Sequence, residues 1–197
     1  MQINGQPAVY LGDPRPSHVI IALHGHGQSA ARFARRWQTL VDDPIPGVGV
    51  LLIQGATLDE RGKRVWVHEL GSTDYATVLE AVGGAKKRGA DTITVAGESY
   101  GASMVWWLLT ASRAIEDTVD QWAPCNCPIP AWVAPRRDQR VYHTLGARDR
   151  RLFSSTAQVH AAADAARAWG ADPVRVYPRG GHRWREADSR ALAEMGR

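Results

Sequence analysis

Val95-Ala96-Gly97-Glu98-Ser99-Tyr100-Gly101-Ala102 is the stretch that decides the fold of this chain. An apolar, β-branched run at residues 92–95 leads into it, and a helix-compatible segment at residues 102–112 follows at once. Ser99 therefore falls on a sharp turn from strand to helix, which is the context that a nucleophile elbow of pattern G-x-S-x-G requires. We expect glycine on both sides of the serine, because side chains there would collide with the neighbouring strand and helix.

Glycine and serine are common in turns, so the pattern alone also fits an ordinary turn, and the rest of the chain must decide. Continuous apolar runs, such as residues 18–23, are typical of strands that are buried on both faces, as in parallel sheets. Strands are predicted at residues 8–11, 18–23, 48–53, 92–95, 119–123, 140–145 and 174–177. Helices are predicted at residues 30–41, 72–88 and 102–112, around 159–169, and after residue 182. This alternation predicts an α/β fold, with a mostly parallel sheet covered by helices on both faces.

Three polar residues follow the ends of predicted strands in the order Ser99, Asp149, His182. Alone, an aspartate in a loop is usually solvated or caps a helix, and a histidine in a Gly-Gly-His turn is usually a surface residue. The carboxyl ends of parallel strands meet at one edge of a sheet, where ligands bind. Together these residues therefore predict a catalytic triad, in which His182 is oriented by Asp149 and takes the proton of Ser99.

An early loop, His24-Gly25-His26-Gly27, supplies a fourth element. Ester hydrolysis turns the carbonyl oxygen into an oxyanion, and backbone N–H groups must already point at it. The N–H groups of His26 and Tyr100 are the candidates, since one such donor follows the nucleophile and the other comes from a loop after an early strand. The alternative is a metal site made of His24, His26 and His182, but that interpretation leaves the elbow and Asp149 without a purpose.

Four motifs carry a resemblance to a known family: Leu23-His24-Gly25-His26-Gly27, Gly97-Glu98-Ser99-Tyr100-Gly101, Gly146-Ala147-Arg148-Asp149 and Gly180-Gly181-His182-Arg183-Trp184. Together they resemble the α/β-hydrolase fold. Within it, the chain is most similar to small lidless serine esterases of the phospholipase/carboxylesterase, dienelactone hydrolase and polyhydroxybutyrate-depolymerase-like groups. The resemblance covers nearly the whole chain. It implies one α/β-hydrolase domain over residues 1–197 and a serine hydrolase that needs no metal or organic cofactor.

The chain departs from this family in two places. The segment between Arg113 and Arg140, where the family commonly places another helix or a lid, is short and rich in proline. A missing or very small helix there predicts a minimal lid, or none, and a site open to solvent, which favours short or soluble acyl groups. Glu98 and Tyr100 stand beside the serine, where related esterases often carry a smaller residue before it and Gln, His or Asn after it.

Candidate pocket residues are His24, Trp66, Trp132 and Trp184, which occupy or border predicted loops on the site side. Aromatic walls suit aryl, acyl or sugar groups, but packing in the core explains any one of them equally well.

Basic residues also occur in these loops, and a basic rim would raise the local concentration of an anionic ester. The alternative is that the arginines only form a soluble surface. The basic residues concerned are Arg61, Lys63, Arg64, Arg148, Arg150, Arg151, Arg179, Arg183 and Arg185.

Composition limits the remaining classes of function. The chain has 197 residues and a net charge of +4, and its basic residues are scattered instead of forming one run with interleaved aromatics, which disfavours a nucleic-acid partner. No apolar run approaches the ~20 residues of a membrane span, and the first residues lack a signal pattern, so we expect a cytoplasmic protein. Cys125 and Cys127 are too few for a disulfide framework or a structural zinc site.

The sequence thus predicts a carboxylesterase that acts on a short-chain or soluble ester through an acyl-serine intermediate. A thioesterase, an acyltransferase or a small peptidase would use the same triad and remains open. An inactive binding protein with this fold is an alternative of another class. The oligomeric state has no signal in the sequence.

Overall fold

A computed structural model of the chain describes residues 1–111, 113–133 and 139–195. Its centre is a mixed sheet of short and medium strands. The strands are β1 (Gln2–Ile3), β2 (Gln6–Gly12), β3 (His18–Leu23), β4 (Val48–Ile53), β5 (Thr92–Glu98), β6 (Gln121–Cys125), β7 (Arg140–Val141), β8 (His143–Gly146) and β9 (Val174–Tyr177). The helices are α1 (Ala30–Ala34), α2 (Thr39–Asp42), α3 (Thr73–Lys87), α4 (Tyr100–Ala111), α5 (Arg113–Glu116), α6 (Thr156–Trp169) and α7 (Glu186–Met195), with a 3₁₀ turn at Arg35–Trp37.

The strands lie in the order β1-β2-β4-β3-β5-β6-β8-β9, with β7 also paired to β6. β1 and β2 are antiparallel to their neighbours, whereas all other pairs are parallel. In the pairing of β3 with β5, Leu23 is the register partner of Gly97, so the two central strands end at the same level. The loops after β3, β5, β8 and β9 therefore leave the sheet at one edge.

Alternate residues of β3 enter two separate cores. Val19, Ile21 and Leu23 pack with α3, α4 and the end of α6, whereas Ile20 and Ala22 pack with α1, α2 and α7. Since both faces of the strand are buried, its continuous apolar run is what the fold demands. The predicted fold class, a mostly parallel sheet covered on both faces, is confirmed.

The prediction of one continuous helix at residues 30–41 is wrong. Ser29 does cap its start, where its hydroxyl accepts the N–H of Arg32 at 3.2 Å. The segment then breaks into α1, the 3₁₀ turn and α2, so the helical spacing no longer describes its buried face. Val41 is accordingly 43% exposed.

The segment that follows α4 contains the very small helix α5 and then β6. β6 continues through Pro124 and Cys125, two residues beyond the strand predicted at 119–123. Ser112, the predicted last residue of the elbow helix, and residues 134–138 of the proline-rich segment lie outside the described residues. Within the described ranges, no helix is both long and apolar enough to cross a membrane.

Candidate active site

The turn between β5 and α4 holds Ser99 in a left-handed conformation with φ of +55°. This conformation is strained for a residue with a side chain, and the tight turn around it requires glycine two residues before and two residues after the serine. A Cβ on Gly97 would lie 2.3 Å from the backbone of Gly101, and one on Gly101 would lie 2.4 Å from the carbonyl oxygen of Leu23. The predicted reason for the G-x-S-x-G spacing is therefore confirmed.

His182 joins Ser99 to Asp149 by two short hydrogen bonds. Its Nδ1 lies 2.6 Å from Asp149 Oδ2, and its Nε2 lies 2.6 Å from Ser99 Oγ. A carboxylate only accepts hydrogen bonds, so it takes the Nδ1–H and leaves Nε2 to accept the hydroxyl of Ser99. Asp149 is fully buried, and its other oxygen accepts the N–H groups of Arg151 and Leu152 at 3.0 and 3.3 Å. The imidazole is thus fixed in both position and tautomer.

Arg185 stabilises the loop that carries His182. The guanidinium donates to the carbonyl oxygen of Gly181 at 2.9 Å and lies over the ring of Tyr177, 4.2 Å from its centroid. Its charge also faces a carboxylate, that of Asp188 at 3.6 Å, so Arg185, one of the candidates for a basic rim, is paired within the protein instead. Gly146 allows the close approach of this loop, since a Cβ there would lie 2.4 Å from the carbonyl oxygen of Gly181.

His24 holds the loop that follows β3. It is fully buried, and burial lowers its pKa to about 4, so the ring is neutral at physiological pH. Its Nε2 accepts the N–H of Gly55 at 3.1 Å, which leaves the ring proton on Nδ1, 2.8 Å from the carbonyl oxygen of Gly25. The indole N–H of Trp66 donates to the carbonyl oxygen of His24 at 2.8 Å.

These contacts set the direction of the peptide between Gly25 and His26. In a trans peptide the C=O and N–H point in opposite directions, so the N–H of His26 points away from the His24 ring. The same peptide lies beside the nucleophile, because a Cβ on Gly25 would be 3.5 Å from Cβ of Ser99. The N–H of Tyr100 belongs to the first turn of α4 and has no partner within that helix. The segments that carry both predicted oxyanion donors therefore lie next to Ser99, and the role of these two N–H groups stays a prediction.

Comparisons with solved structures identify this architecture. The carboxylesterase from Bacillus cereus has 20% sequence identity and a TM-score of 0.66, over 97% of this chain and 93% of that chain. The carboxylesterase from Mesorhizobium loti has 19% identity and a TM-score of 0.66, over 98% of this chain and 90% of that one. The chain has the α/β-hydrolase fold.

A third α/β-hydrolase match is Est1E from Butyrivibrio proteoclasticus, solved with ferulic acid bound. It has 15% identity and a TM-score of 0.63, over 98% of this chain and 96% of that chain. No protein-family model and no curated protein matches the sequence.

Ser99 and His182 line a surface cavity of about 430 Å³. Among the described residues, its lining consists only of glycine and polar or charged residues. Its cations are Arg32, Arg36, Lys63, Arg151 and Arg183. The last three belong to the predicted basic rim. The first two were missed because they lie on the polar side of a helix, where a charged residue is ordinary.

The four predicted pocket residues do not line this cavity. His24, Trp66 and Trp184 are at most 2% exposed, so the prediction that they contact substrate is corrected. Each follows a strand or borders a loop on the site side, but its large apolar surface turns inward and is buried beneath the loops. Trp184, for example, packs edge-on against Phe33. Trp132 is 53% exposed and lies outside the cavity lining.

Glu98, which departs from the family pattern, ties the site together. Its carboxylate is buried and accepts the N–H of Trp184 at 2.7 Å on one oxygen and the side-chain amide of Gln28 at 3.2 Å on the other. One residue of the elbow thereby connects the loop that bears His182 to the loop that bears His26. The sequence shows that Glu98 is unusual at this position, but it carries no signal for these two partners.

The alternative of a metal site at His24, His26 and His182 does not fit the geometry. Both ring nitrogens of His24 and of His182 bond to other protein groups, and Nε2 of His26 lies 2.9 Å from Asp59. In the part of the chain that the structure describes, no group of three or more His, Cys, Asp or Glu side chains is arranged to hold a metal ion.

Proposed function

We propose that this chain is a serine hydrolase that cleaves carboxylic esters through an acyl-serine intermediate. The observation that carries the proposal is the line of hydrogen bonds from Ser99 through His182 to Asp149, with both heavy-atom distances at 2.6 Å. A serine hydroxyl is a weak nucleophile unless a base within hydrogen-bond reach removes its proton, and this arrangement supplies that base. The likeness to solved carboxylesterases supports the proposal at the level of the fold.

The proposed reaction proceeds in two halves. Ser99 Oγ attacks the ester carbonyl while His182 Nε2 takes its proton, and Asp149 stabilises the imidazolium that forms. The N–H groups of His26 and Tyr100 donate to the oxyanion. The imidazolium then returns its proton to the departing alcohol, leaving an acyl-serine. A water molecule, deprotonated by the same ring, then attacks the acyl-serine carbonyl; the acyl–Oγ bond breaks, the imidazolium returns the proton to Ser99 Oγ, and the acid is released.

The lining of the cavity supports short and polar substrates. A long acyl chain gains binding energy only where it meets apolar surface, at about 25 cal/mol per Å² buried. The described lining offers glycine, charged and polar side chains instead. We therefore expect activity on nitrophenyl esters to be highest for the shortest acyl chains and to fall as the chain lengthens.

Intact-mass analysis after treatment with a fluorophosphonate tests the proposal, followed by steady-state assays on nitrophenyl esters. One adduct on Ser99 is expected, and Ser99→Ala should abolish it and lower kcat by about 10³-fold or more. Circular dichroism and thermal unfolding establish that the variant is folded. Unchanged turnover in pure, folded Ser99→Ala would remove this serine from the mechanism.

Ser103 provides a matched control. It lies one turn further along α4, and its hydroxyl is 3.0 Å from Nε2 of His68, so it is also a serine paired with a histidine. No carboxylate among the described residues forms a hydrogen bond to His68 to complete a triad. Ser103→Ala should keep the adduct and the activity. An absence of any adduct on the unmodified protein would instead favour the inactive binding protein.

A thioester and an anilide, assayed beside the nitrophenyl ester of the same acyl group, separate the remaining alternatives. The proposal expects the oxygen ester to have the highest kcat/KM. A clear preference for the thioester or the anilide would reassign the chain to thioesterase or peptidase chemistry with the same three residues.

A further inference from the structure

The charges around the cavity are strongly asymmetric. Its cations come from four separate parts of the chain: the first helical segment, the loop after β4, the loop after β8 and the loop after β9. These five side chains are the ones named above: Arg32, Arg36, Lys63, Arg151 and Arg183. They converge on the space into which Ser99 and His182 open.

These cations are not neutralised by the protein. Within residues 1–111, 113–133 and 139–195, none of the five has a carboxylate partner within 4.0 Å. Arg167 and Arg190, outside the cavity, do have such partners, at 2.7 Å from Asp164 and Asp43. Most other described arginines and lysines also lack a carboxylate within 4.0 Å, so the cavity differs from the rest of the described surface because five cations converge there, with Glu98 as the one carboxylate in the described lining.

The acids nearest to the cavity already have donors. Glu98 accepts from Trp184 and Gln28, and Asp149 accepts from His182. Asp59, whose carboxylate meets the ring of His26, also accepts the backbone N–H groups of Arg61 and Lys63. None of these three carboxylates forms a hydrogen bond to the guanidinium or ammonium heads of the five cations, and five cations against three carboxylates leave an excess of positive charge.

We infer that the substrate is a small ester that carries a carboxylate or phosphate group near the scissile bond, an inference that rests on the proposed function. Several cations in a concave site create a field that concentrates anions and raises their rate of encounter. Guanidinium groups also match the planar oxygen pairs of carboxylates and phosphates, so they orient the anion as well as attract it. The anionic group takes the place of the missing carboxylate partners, and the ester carbonyl then meets Ser99.

Matched esters of nearly equal shape test this inference. 4-Acetoxybenzoate is compared with its methyl ester, which puts the charge in the alcohol part. The mono-4-nitrophenyl ester of terephthalate is compared with its methyl ester, which puts the charge in the acyl part. 4-Acetoxyphenyl phosphate then asks whether phosphate or carboxylate is preferred. We expect the charged member of at least one pair to have a kcat/KM about tenfold higher or more at low salt.

Added salt should reduce this advantage, because the screening length falls from ~30 Å at 0.01 M to ~10 Å at 0.1 M ionic strength. The variants Arg32→Gln and Arg183→Gln, alone and combined, should lower the ratio of charged to neutral kcat/KM, the double variant by about tenfold. Arg167→Gln is the matched control. It removes the same charge from an exposed position on α6 outside the cavity lining, and it should leave the ratio unchanged.

The two proposals fail in different ways. Equal kcat/KM for both members of each pair, with equal salt responses and Ser99-dependent hydrolysis, would overturn the anionic substrate and leave the esterase intact. A ratio lowered as much by Arg167→Gln as by the cavity variants would also overturn it. A protein that hydrolyses neither member and forms no fluorophosphonate adduct would overturn the proposed function itself.

Discussion

Replacing His24 with alanine should lower turnover more than the loss of stability accounts for. The substitution removes the donor to the carbonyl oxygen of Gly25 and the acceptor for the N–H of Gly55. An interior N–H left without a partner costs about 1–3 kcal/mol. The ring also packs against Trp66, 5.0 Å between centroids, so its loss leaves a cavity. Together we expect the free energy of unfolding to fall by about 3–5 kcal/mol.

The effect on turnover follows from the direction of one peptide. Without the His24 ring, the carbonyl of Gly25 keeps only the weaker contact from the N–H of Gln28 at 3.2 Å. The peptide can then rotate, and the N–H of His26, the proposed oxyanion donor, loses its fixed direction. Complete loss of one oxyanion donor costs about 10²–10³ in kcat. Since the loop remains anchored by the Gly27 N–H on the carbonyl of Arg64 at 2.9 Å, we expect a loss of about 10- to 100-fold.

His18 is the matched control for this experiment, because it stands at the other end of β3. It is also buried, burial also lowers its pKa to about 4, and its Nε2 lies 2.8 Å from Oγ1 of Thr94. His18→Ala should destabilise the protein by a similar amount but leave kcat within about threefold, since it lies at the amino end of the sheet, away from the site. His24→Asn, whose amide can donate to Gly25, should recover part of the lost turnover.

The assay is kcat on a neutral nitrophenyl ester, at a temperature at which circular dichroism finds every variant folded. Equal kcat for folded His24→Ala and His18→Ala would refute the argument, because a purely structural histidine would give that result. A recovery of stability without turnover in His24→Asn would also count against a role in directing the peptide.

Two further predictions concern stability. Gly101→Ala should lower the free energy of unfolding by about 3 kcal/mol or more in denaturant titrations, because its Cβ would collide with backbone atoms. The control Gly83→Ala, in open space on α3, should be neutral or should stabilise the protein by up to ~1 kcal/mol. Equal changes in stability for the two variants would contradict the collision. Burial lowers the pKa of His18, His24 and His143 to about 4, so the unfolded chain binds more protons between pH 4 and 6.5. Stability should therefore be complete above pH 6.5 and fall towards pH 4, by up to about 3 kcal/mol per ring, and His143→Gln should reduce that slope by about one proton.

The fold was predictable because topology and pattern agree. Buried parallel strands demand apolar residues on both faces, and the sequence supplies them in runs at residues 18–23 and 48–53. The meeting of Ser99, Asp149 and His182 followed from the same rule, since residues just beyond the ends of parallel strands must share an edge. The distances between these three side chains could not be predicted, because they depend on how buried partners such as Glu98 hold the surrounding loops.

Side-chain direction was the part that sequence could not supply. Trp66 and Trp184 lie in loops at the correct edge of the sheet, but their rings are buried in the core. Nothing in their spacing along the sequence distinguishes a residue that lines a cavity from one that packs in the core. The prediction for Val41, as part of a continuous helix at residues 30–41, was wrong for a related reason. The helical period breaks at the 3₁₀ turn, which changes the direction of the chain. Arg32 and Arg36 show the opposite case: they line the cavity but were not predicted to do so, because charged residues on a helix are common.

The alignment of Leu23 with Gly97 across the two central strands has a consequence for refolding. A slip of one residue in that alignment would displace the serine by about 3.3 Å along the strand and invert every side chain, so Ser99 and the amides proposed to bind the oxyanion would no longer face each other. The proposed activity can thus appear only once these strands have found their native partners. The recovery of hydrolysis after dilution from denaturant should therefore report on the centre of the molecule instead of its periphery.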